Sequence, residues 1–251
     1  MPQLTDFSWF LWGTVAVAQA VACATVYKRR HEPIWGSLFM FLAWNCALTS
    51  LLILIALFPS SPDHRAYLYF YTFWPGESIS SVVMISVITG IAQEQFGYTP
   101  LIKKCIFIGT PAACIGFAAA AYPNLSFNYS VPAISQSVIL SSRAICLGWI
   151  GVSLIYAIAS EILGLRFRTH CHWIALGLSI SLTSELIHSF LIKALPIVSL
   201  DVFKSATYLV SLAIWTRAAL TPQSTIASPS LGDLRRIKSS TEIFLKAFTG
   251  K

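Results

Sequence analysis

Charge is scarce in this chain. Only 11% of its 251 residues are charged and 56% are hydrophobic, whereas an ordinary soluble domain is roughly 25% charged. The apolar residues run in blocks of about twenty instead of alternating with polar residues at the period of a helix or strand surface. This composition argues against a soluble domain and predicts an all-α polytopic membrane protein.

Short motifs of common enzymes and metal sites are also missing. No GxSxG, HExxH, P-loop or glycine-rich dinucleotide fingerprint occurs. We therefore assign no catalytic residue, and nothing in the sequence demands an enzymatic activity. The six cysteines include no CxxC pair and lie in or beside apolar blocks, which favours small packing residues over a disulfide framework or a zinc site.

Seven apolar blocks are long enough to cross a bilayer, which takes about 20 residues at 1.5 Å rise each. Short connections that contain proline separate most of them, and proline starts or ends a helix easily but is costly inside one. We predict a seven-helix transmembrane domain at residues 1–221 and a tail at 222–251. The predicted spans are approximately Phe7–Tyr27, Ile34–Phe58, Tyr67–Phe96, Cys105–Tyr122, Ile134–Ile162, His172–Lys193 and Ile197–Leu220.

Lysine and arginine are divided unequally between the two sides of the predicted bundle. Thirteen fall in the connections of one side or in the tail, and the other four are Arg65, Arg143, Lys193 and Lys204. Because cytoplasmic loops are enriched in these residues, the N-terminus is predicted outside and the C-terminus in the cytoplasm, in the cytoplasmic membrane of a bacterium. The net charge of +7 is spread between apolar blocks, so the expected partner is the lipid bilayer and not nucleic acid.

The tail has the pattern of a short amphipathic helix. Leu234, Ile237, Thr241, Phe244 and Phe248 recur at helical spacing. Arg235, Arg236, Lys238 and Lys246 flank this stripe. Such a helix is expected to lie on the anionic cytoplasmic leaflet, and a disordered tail is the alternative.

The fourth predicted span carries small residues at four-residue spacing, namely Gly109 with Ala113 and Gly116 with Ala120. This spacing lets helix backbones approach closely. It predicts a packing face, within the bundle, with a second copy of the chain or with another membrane protein.

Six ionisable residues lie at bilayer depth in the predicted spans, away from the inner ends. Each is a functional-site hypothesis, because charge at this depth is costly unless it is paired or hydrated. Four spans supply them, and all are placed in the outer half. The six are Glu77, Arg143, Glu185, His188, Asp201 and Lys204. Their charges nearly balance, so a salt-bridged structural network and an outward-facing polar cavity for a ligand both stay open.

The stretch FWPGESISS places Glu77 directly after Pro75 and Gly76. A proline in a helix frees a backbone carbonyl, and a glycine lets another group approach closely. Arg143 and Lys204 are the expected counter-charges for this carboxylate. Glu185 and His188 are three residues apart on one helix face, so a metal ion held by Glu77, Glu185 and His188 is a weaker alternative.

Seven spans with an external N-terminus invite comparison with microbial rhodopsins and G-protein-coupled receptors. In microbial rhodopsins an aspartate precedes the retinal-binding lysine by four residues on the seventh helix. Here Asp201 and Lys204 are only three apart, and the receptor motifs DRY and NPxxY are absent. No cofactor is predicted, and retinal on Lys204 is a minor alternative.

The stretch from Tyr67 to Pro100 has two acidic positions, Glu77 and Glu94. It resembles the third helix of a loose family of uncharacterised bacterial seven-helix membrane proteins, to which this chain is more similar than to rhodopsins or receptors. The resemblance implies a topology but no activity. We expect a non-enzymatic membrane protein of the receptor or sensor type with an outward-facing polar pocket. A structural subunit of a larger membrane complex and a transporter of a small solute or ion are the alternatives.

Overall fold

The structure is a computed structural model that describes residues 6–58, 61–96, 100–121, 143, 145–153, 156, 158, 169–191 and 197–221. All regular structure in these residues is α-helical, and none of them lies in a strand. The helices are α1 (Asp6–Tyr27), α2 (Pro33–Leu57), α3 (Pro62–Phe96), α4 (Pro100–Ala121), α5 (145–153, with helical residues at 143, 156 and 158), α6 (Thr169–Leu191) and α7 (Ile197–Leu220).

Three helices are long and apolar enough to cross a membrane, over Trp9–Tyr27, Pro33–Leu57 and Asp63–Gln95. Large apolar side chains are exposed on all seven helices, for example Phe10, Leu54 and Ile108. A soluble protein rarely exposes so much contiguous apolar surface, whereas helices satisfy their own backbone hydrogen bonds and can face lipid. The chain is therefore a membrane-associated helical protein.

Prolines mark three helix starts. Pro33, Pro62 and Pro100 are the first residues of α2, α3 and α4, where the missing N–H costs nothing and the fixed φ suits a helix. The predicted third and fourth spans began later, at Tyr67 and Cys105, because polar residues of the first turns were assigned to loops. The other described helix limits lie close to the predicted ones.

Five helices form a closed ring in which α1 packs on α2, α2 on α3, α3 on α6, α6 on α7 and α7 on α1, while α4 packs on the outside of α3. At one end α1, α3 and α7 begin, and Trp12 stacks on Tyr69. At the other end α2 and α6 begin, and Trp35 lies 6.4 Å from the His170 ring. We call these the Trp12 end and the Trp35 end.

Two contacts between ionisable groups connect helices at the Trp35 end. Arg29 donates two hydrogen bonds to the Glu32 carboxylate, at 3.0 and 3.1 Å, and its guanidinium lies 4.4 Å from the Trp35 ring centre. Across the bundle, His170 Nε2 lies 3.9 Å from Glu94 Oε1. These contacts join the start of α2 to the end of α1, and the start of α6 to the end of α3.

The interface between α6 and α7 contains a ladder of polar contacts. The Trp215 indole N–H donates to the carbonyl of Ile174 at 3.1 Å, and the Ser211 hydroxyl donates to the carbonyl of Gly177 at 2.8 Å. Both donors are on α7, and both are fully buried. Helix backbone carbonyls thus accept a second hydrogen bond from the neighbouring helix, which an apolar side chain could not provide.

The apolar core occupies the half of the ring nearer the Trp35 end. Its fully buried side chains come from the last turns of α1, α3 and α7 and the first turns of α2 and α6. The largest are Trp35, Trp215, Ile34, Leu38, Leu42, Ile88, Ile174, Leu178 and Leu212. Packed apolar side chains fill the middle of the ring in this half, and the cavity in the middle of the ring lies towards the Trp12 end.

The small-residue face of α4 is open in the described part of the chain. Cβ atoms placed on Gly109 and Gly116 would meet no atom within 4 Å. No described helix therefore packs closely against these two glycines. A homo-oligomer or a membrane-protein partner at this face stays a prediction.

Gly177 is required where α6 meets α7, because a Cβ at this position would overlap the Trp215 indole. We expect Gly177→Ala to lower the melting temperature of the purified protein, since overpacking costs about 1–3 kcal/mol. Gly109→Ala, at an open position of α4, is the matched control and should leave melting unchanged. Equal melting of both variants would contradict the close approach of the two helices.

Candidate ligand cavity

A cavity of about 250 Å³ lies inside the ring, in the half nearer the Trp12 end. Six helices line it, and about half of its lining residues are polar. They are Trp12, Val15, Gln19, Phe41, Asn45, Leu48, Thr49, Leu52, Tyr69, Phe73, Glu77, Ser80, Ser81, Met84, Ile145, Ser181, Leu182, Glu185, Lys204, Ser205 and Tyr208. Ligand pockets typically measure about 300–1,000 Å³, so this cavity suits a small molecule.

Stacked aromatic rings form one wall of the cavity. Trp12 of α1 stacks on Tyr69 of α3 with ring centres 6.2 Å apart, and Tyr69 stacks on Phe73 at 5.7 Å. All three rings line the cavity. These three aromatic side chains therefore face the inside of the ring.

Polar contacts fix α2 against α3 beside Glu77. The Ser80 hydroxyl donates to Asn45 Oδ1 at 3.2 Å, and the Trp44 indole N–H donates to the carbonyl of Gly76 at 3.1 Å. A Cβ on Gly76 would overlap the Leu48 side chain, which itself lines the cavity. Gly76 therefore does admit a close approach, as its place in the sequence predicted, and the approaching group is a side chain of α2.

Lys204 contacts Glu185 and not Glu77. Its ammonium lies 2.6 Å from Glu185 Oε2, and the two side chains are 36% and 24% exposed. In the described part of the chain, Glu77 makes no ion pair within 4.0 Å and no hydrogen bond through its carboxylate. Three of the six predicted ionisable residues, Glu77, Glu185 and Lys204, thus line one cavity.

The other three predicted residues are placed differently. The Arg143 guanidinium lies 4.7 Å from the centre of the Phe190 ring on α6, and no ion pair within 4.0 Å joins Arg143 to Glu77 in the described residues. His188 lies one turn beyond Glu185 on α6 and is not among the described cavity-lining residues. Asp201 lies in the first turns of α7, one turn before Lys204, and its side chain is outside the described residues.

The sequence analysis did not identify two uncharged polar residues of the cavity, Gln19 and Asn45. Gln19 is 3% exposed, and its amide N–H donates to the Tyr208 hydroxyl at 3.2 Å. Its carbonyl oxygen Oε1 is buried and has no hydrogen-bond partner in the described part of the chain. A lone amide in the apolar stretch AVAQAVA, like Asn45 in AWNCA, is a signal that would have pointed to both residues.

A second cavity, of about 230 Å³, lies between α3, α5 and α6 towards the Trp35 end. Gln95 and His172 line it, together with Trp149, whose indole donates to the Ser179 hydroxyl at 3.2 Å. The buried Oγ of Ser153 has no hydrogen-bond partner in the residues described. Along α3 the wholly buried Val87 and Ile88 lie between the residues that line the two cavities.

Three further expectations concern a metal ion, retinal and the tail. No group of three or more His, Cys, Asp or Glu side chains in the described residues could hold a metal ion, and Glu77, Glu185 and His188 are all among those residues. No observation tests retinal on Lys204, which stays a prediction. The tail residues Arg235, Arg236, Lys238 and Lys246 lie outside the described residues.

Comparison with models of known protein families, with curated proteins and with solved structures gives no match. The residues that line the cavity are therefore the evidence for the function.

The pairing of Lys204 with Glu185 predicts how three substitutions affect stability. Lys204→Met should lower the free energy of unfolding by about 1.5–3 kcal/mol, the usual contribution of a hydrogen bond to a charged group. The double variant Glu185→Gln/Lys204→Met should recover part of this loss. Glu77→Gln should leave thermal melting unchanged or raise it, because the Glu77 carboxylate makes no ion pair within 4.0 Å in the described residues. Equal losses for Glu77→Gln and Lys204→Met would show that Lys204 pairs with Glu77 instead.

Proposed function

We propose that this chain is a multi-pass membrane protein of the receptor or sensor type that binds a small polar ligand inside its helix ring. The observation that carries the proposal is the cavity lined by polar groups of α1, α2, α3, α6 and α7. Nonpolar helix packing alone would fill this space with side chains, as it does in the other half of the ring. A polar cavity that leaves Glu77 without an ionic partner in the described chain is what a ligand site requires.

The proposal includes seven spans in a bacterial cytoplasmic membrane, with the Trp12 end outside and the tail in the cytoplasm. Its support is the excess of lysine and arginine in the connections of the Trp35 end. The ligand would then reach the cavity from outside, past Trp12 and Tyr69. A signal would leave through the loops of the Trp35 end, the tail and a partner protein, with the tail on anionic lipid.

Reporter fusions test this orientation. Alkaline phosphatase, which is active only outside the cytoplasm, should be active when fused after Ser61, between α2 and α3. It should be inactive when fused after His31, between α1 and α2. The opposite pattern would reverse the orientation, and activity at both positions would contradict the membrane crossing by α2.

The second cavity favours a small-solute transporter as the second candidate. It lies on the Trp35 side of Val87 and Ile88, whereas the first cavity lies on the Trp12 side. Two polar cavities separated by a packed layer are what alternating access needs, because a substrate site must open to one side at a time. The receptor proposal requires no passage between the two cavities.

Blocking the cavity tests ligand binding directly. The probes are butylammonium, pentanoate, n-butanol, glycine and glucose, added to the purified protein in nanodiscs of zwitterionic lipid. At least one should raise the melting temperature and change tryptophan fluorescence, because Trp12 lines the cavity. Ser81→Phe, which fills the cavity, should abolish both effects.

Val82→Phe is the matched control, since the neighbouring Val82 is 67% exposed on the outer surface of α3. It should respond to the probes as the unmodified protein does. If no probe gives a response that Ser81→Phe abolishes, the ligand-binding proposal is overturned. Accumulation of the responding probe inside proteoliposomes, again blocked by Ser81→Phe, would replace the receptor by the transporter.

A further inference from the structure

We infer that the ligand of this cavity is a small organic cation whose ammonium group binds the Glu77 carboxylate. The inference rests on the proposed function, because it specifies the chemistry of the molecule that the same cavity binds. Four observations carry it, namely the charges of the lining, the unpaired Gln19 oxygen, the aromatic wall and the size of the space.

The charged groups that line the cavity sum to minus one. Glu77 and Glu185 are the carboxylates, and Lys204 is the only cationic residue among the described lining residues. Lys204 lies on Glu185 at 2.6 Å. An ionised carboxylate inside a membrane is costly without a positive partner in contact with it. Since the Lys204 ammonium contacts Glu185, a ligand that binds Glu77 in its charged form has to bring a positive charge.

Gln19 adds a second requirement on the ligand. Its Nε2 already donates to the Tyr208 hydroxyl, and its buried Oε1 accepts no hydrogen bond from the described residues. A buried amide oxygen needs a donor, since leaving it without a hydrogen bond destabilises the protein. An ammonium group supplies three N–H donors and no acceptor, whereas a carboxylate or phosphate supplies acceptors that neither Gln19 Oε1 nor Glu77 could use.

The aromatic wall suits a cation as well. Trp12, Tyr69 and Phe73 line the same cavity as Glu77. Ammonium groups are attracted to aromatic rings, most strongly where water is excluded. The rings also offer apolar surface to the carbon atoms of an organic ligand.

A bare metal cation does not fit these surroundings. Hard cations take six or more oxygen ligands at about 2.0–2.6 Å, and the described residues contain no cluster of three potential His, Cys, Asp or Glu ligands. The space of about 250 Å³ is much larger than one dehydrated ion, and half of its lining is apolar. An amine with a short aliphatic or aromatic body fills it better.

Two matched sets of probes test the sign of the charge. One set is butylammonium, n-butanol and pentanoate, and the other is 2-phenylethylammonium, 2-phenylethanol and 3-phenylpropanoate. In zwitterionic nanodiscs the ammonium member of at least one set should raise the melting temperature, with an apparent Kd at least tenfold lower than those of the alcohol and the carboxylate. Ser81→Phe should remove the effect.

Glu77→Gln should weaken binding of that ammonium probe at least tenfold, and Gln19→Leu should weaken it in the same direction. Glu94→Gln is the control, because Glu94 is a carboxylate of the same helix that lies at the Trp35 end beside His170. Its affinity for the probe should be unchanged. Since Glu77 has no ionic partner in the described chain, its neutral variant should fold.

The outcomes of these experiments distinguish the proposal of an organic cation from the proposal of a ligand cavity. Alcohols or carboxylates that bind as well as the ammonium probes, in a manner blocked by Ser81→Phe, would overturn the cation while leaving the ligand cavity intact. Ammonium binding that Glu77→Gln does not weaken would also overturn it. Equal stabilisation by sodium or potassium chloride would assign the site to an inorganic ion. A complete absence of Ser81-dependent binding would remove the cavity function and the cation together.

Discussion

A buried polar side chain loses its contact with water, so it needs a hydrogen-bond partner from its surroundings. The interface of α6 and α7 shows how this constraint is met. Trp215 and Ser211 donate to backbone carbonyls of α6, Thr207 contacts the Ser184 hydroxyl at 2.5 Å, and Lys204 contacts Glu185. The contacts run from the Trp35 end to the Trp12 end, and the rest of the ring is built on this fixed pair.

The side chains of this ladder differ along its length, and this difference explains why one half of the ring is packed and the other contains a cavity. Near the Trp35 end its donors sit on large buried side chains such as Trp215, and apolar residues fill the space around them. Nearer the Trp12 end the ladder consists of small hydroxyl groups and an ion pair, which leave space between the helices. Phe41 lies at the boundary, because it belongs to the core and also lines the cavity.

The helices could be predicted from the sequence, because apolar block length and proline position are local properties. Pro33, Pro62 and Pro100 start helices for reasons that lie within a few residues of each. The depth of Glu77, Glu185 and Lys204 could be predicted too, since rise per residue converts position into height. Which of them pair could not, because pairing depends on the rotation of each helix about its axis and on its neighbours. The sequence analysis expected Lys204 to pair with Glu77, whereas the packing of α6 on α7 places its ammonium on Glu185.

The contacts around Glu77, the acidic residue of FWPGESISS, indicate the role of its carboxylate. Gly76 lets Leu48 come close, Trp44 binds the Gly76 carbonyl, and Ser80 binds Asn45. These contacts hold the α3 segment on both sides of Glu77, yet none of them involves its carboxylate. A purely structural acid would be paired by the contacts that position it, as Glu185 is paired by Lys204. Under the proposed function, the Glu77 carboxylate, which its neighbours hold in place without bonding to it in the described chain, binds a group that the protein does not supply.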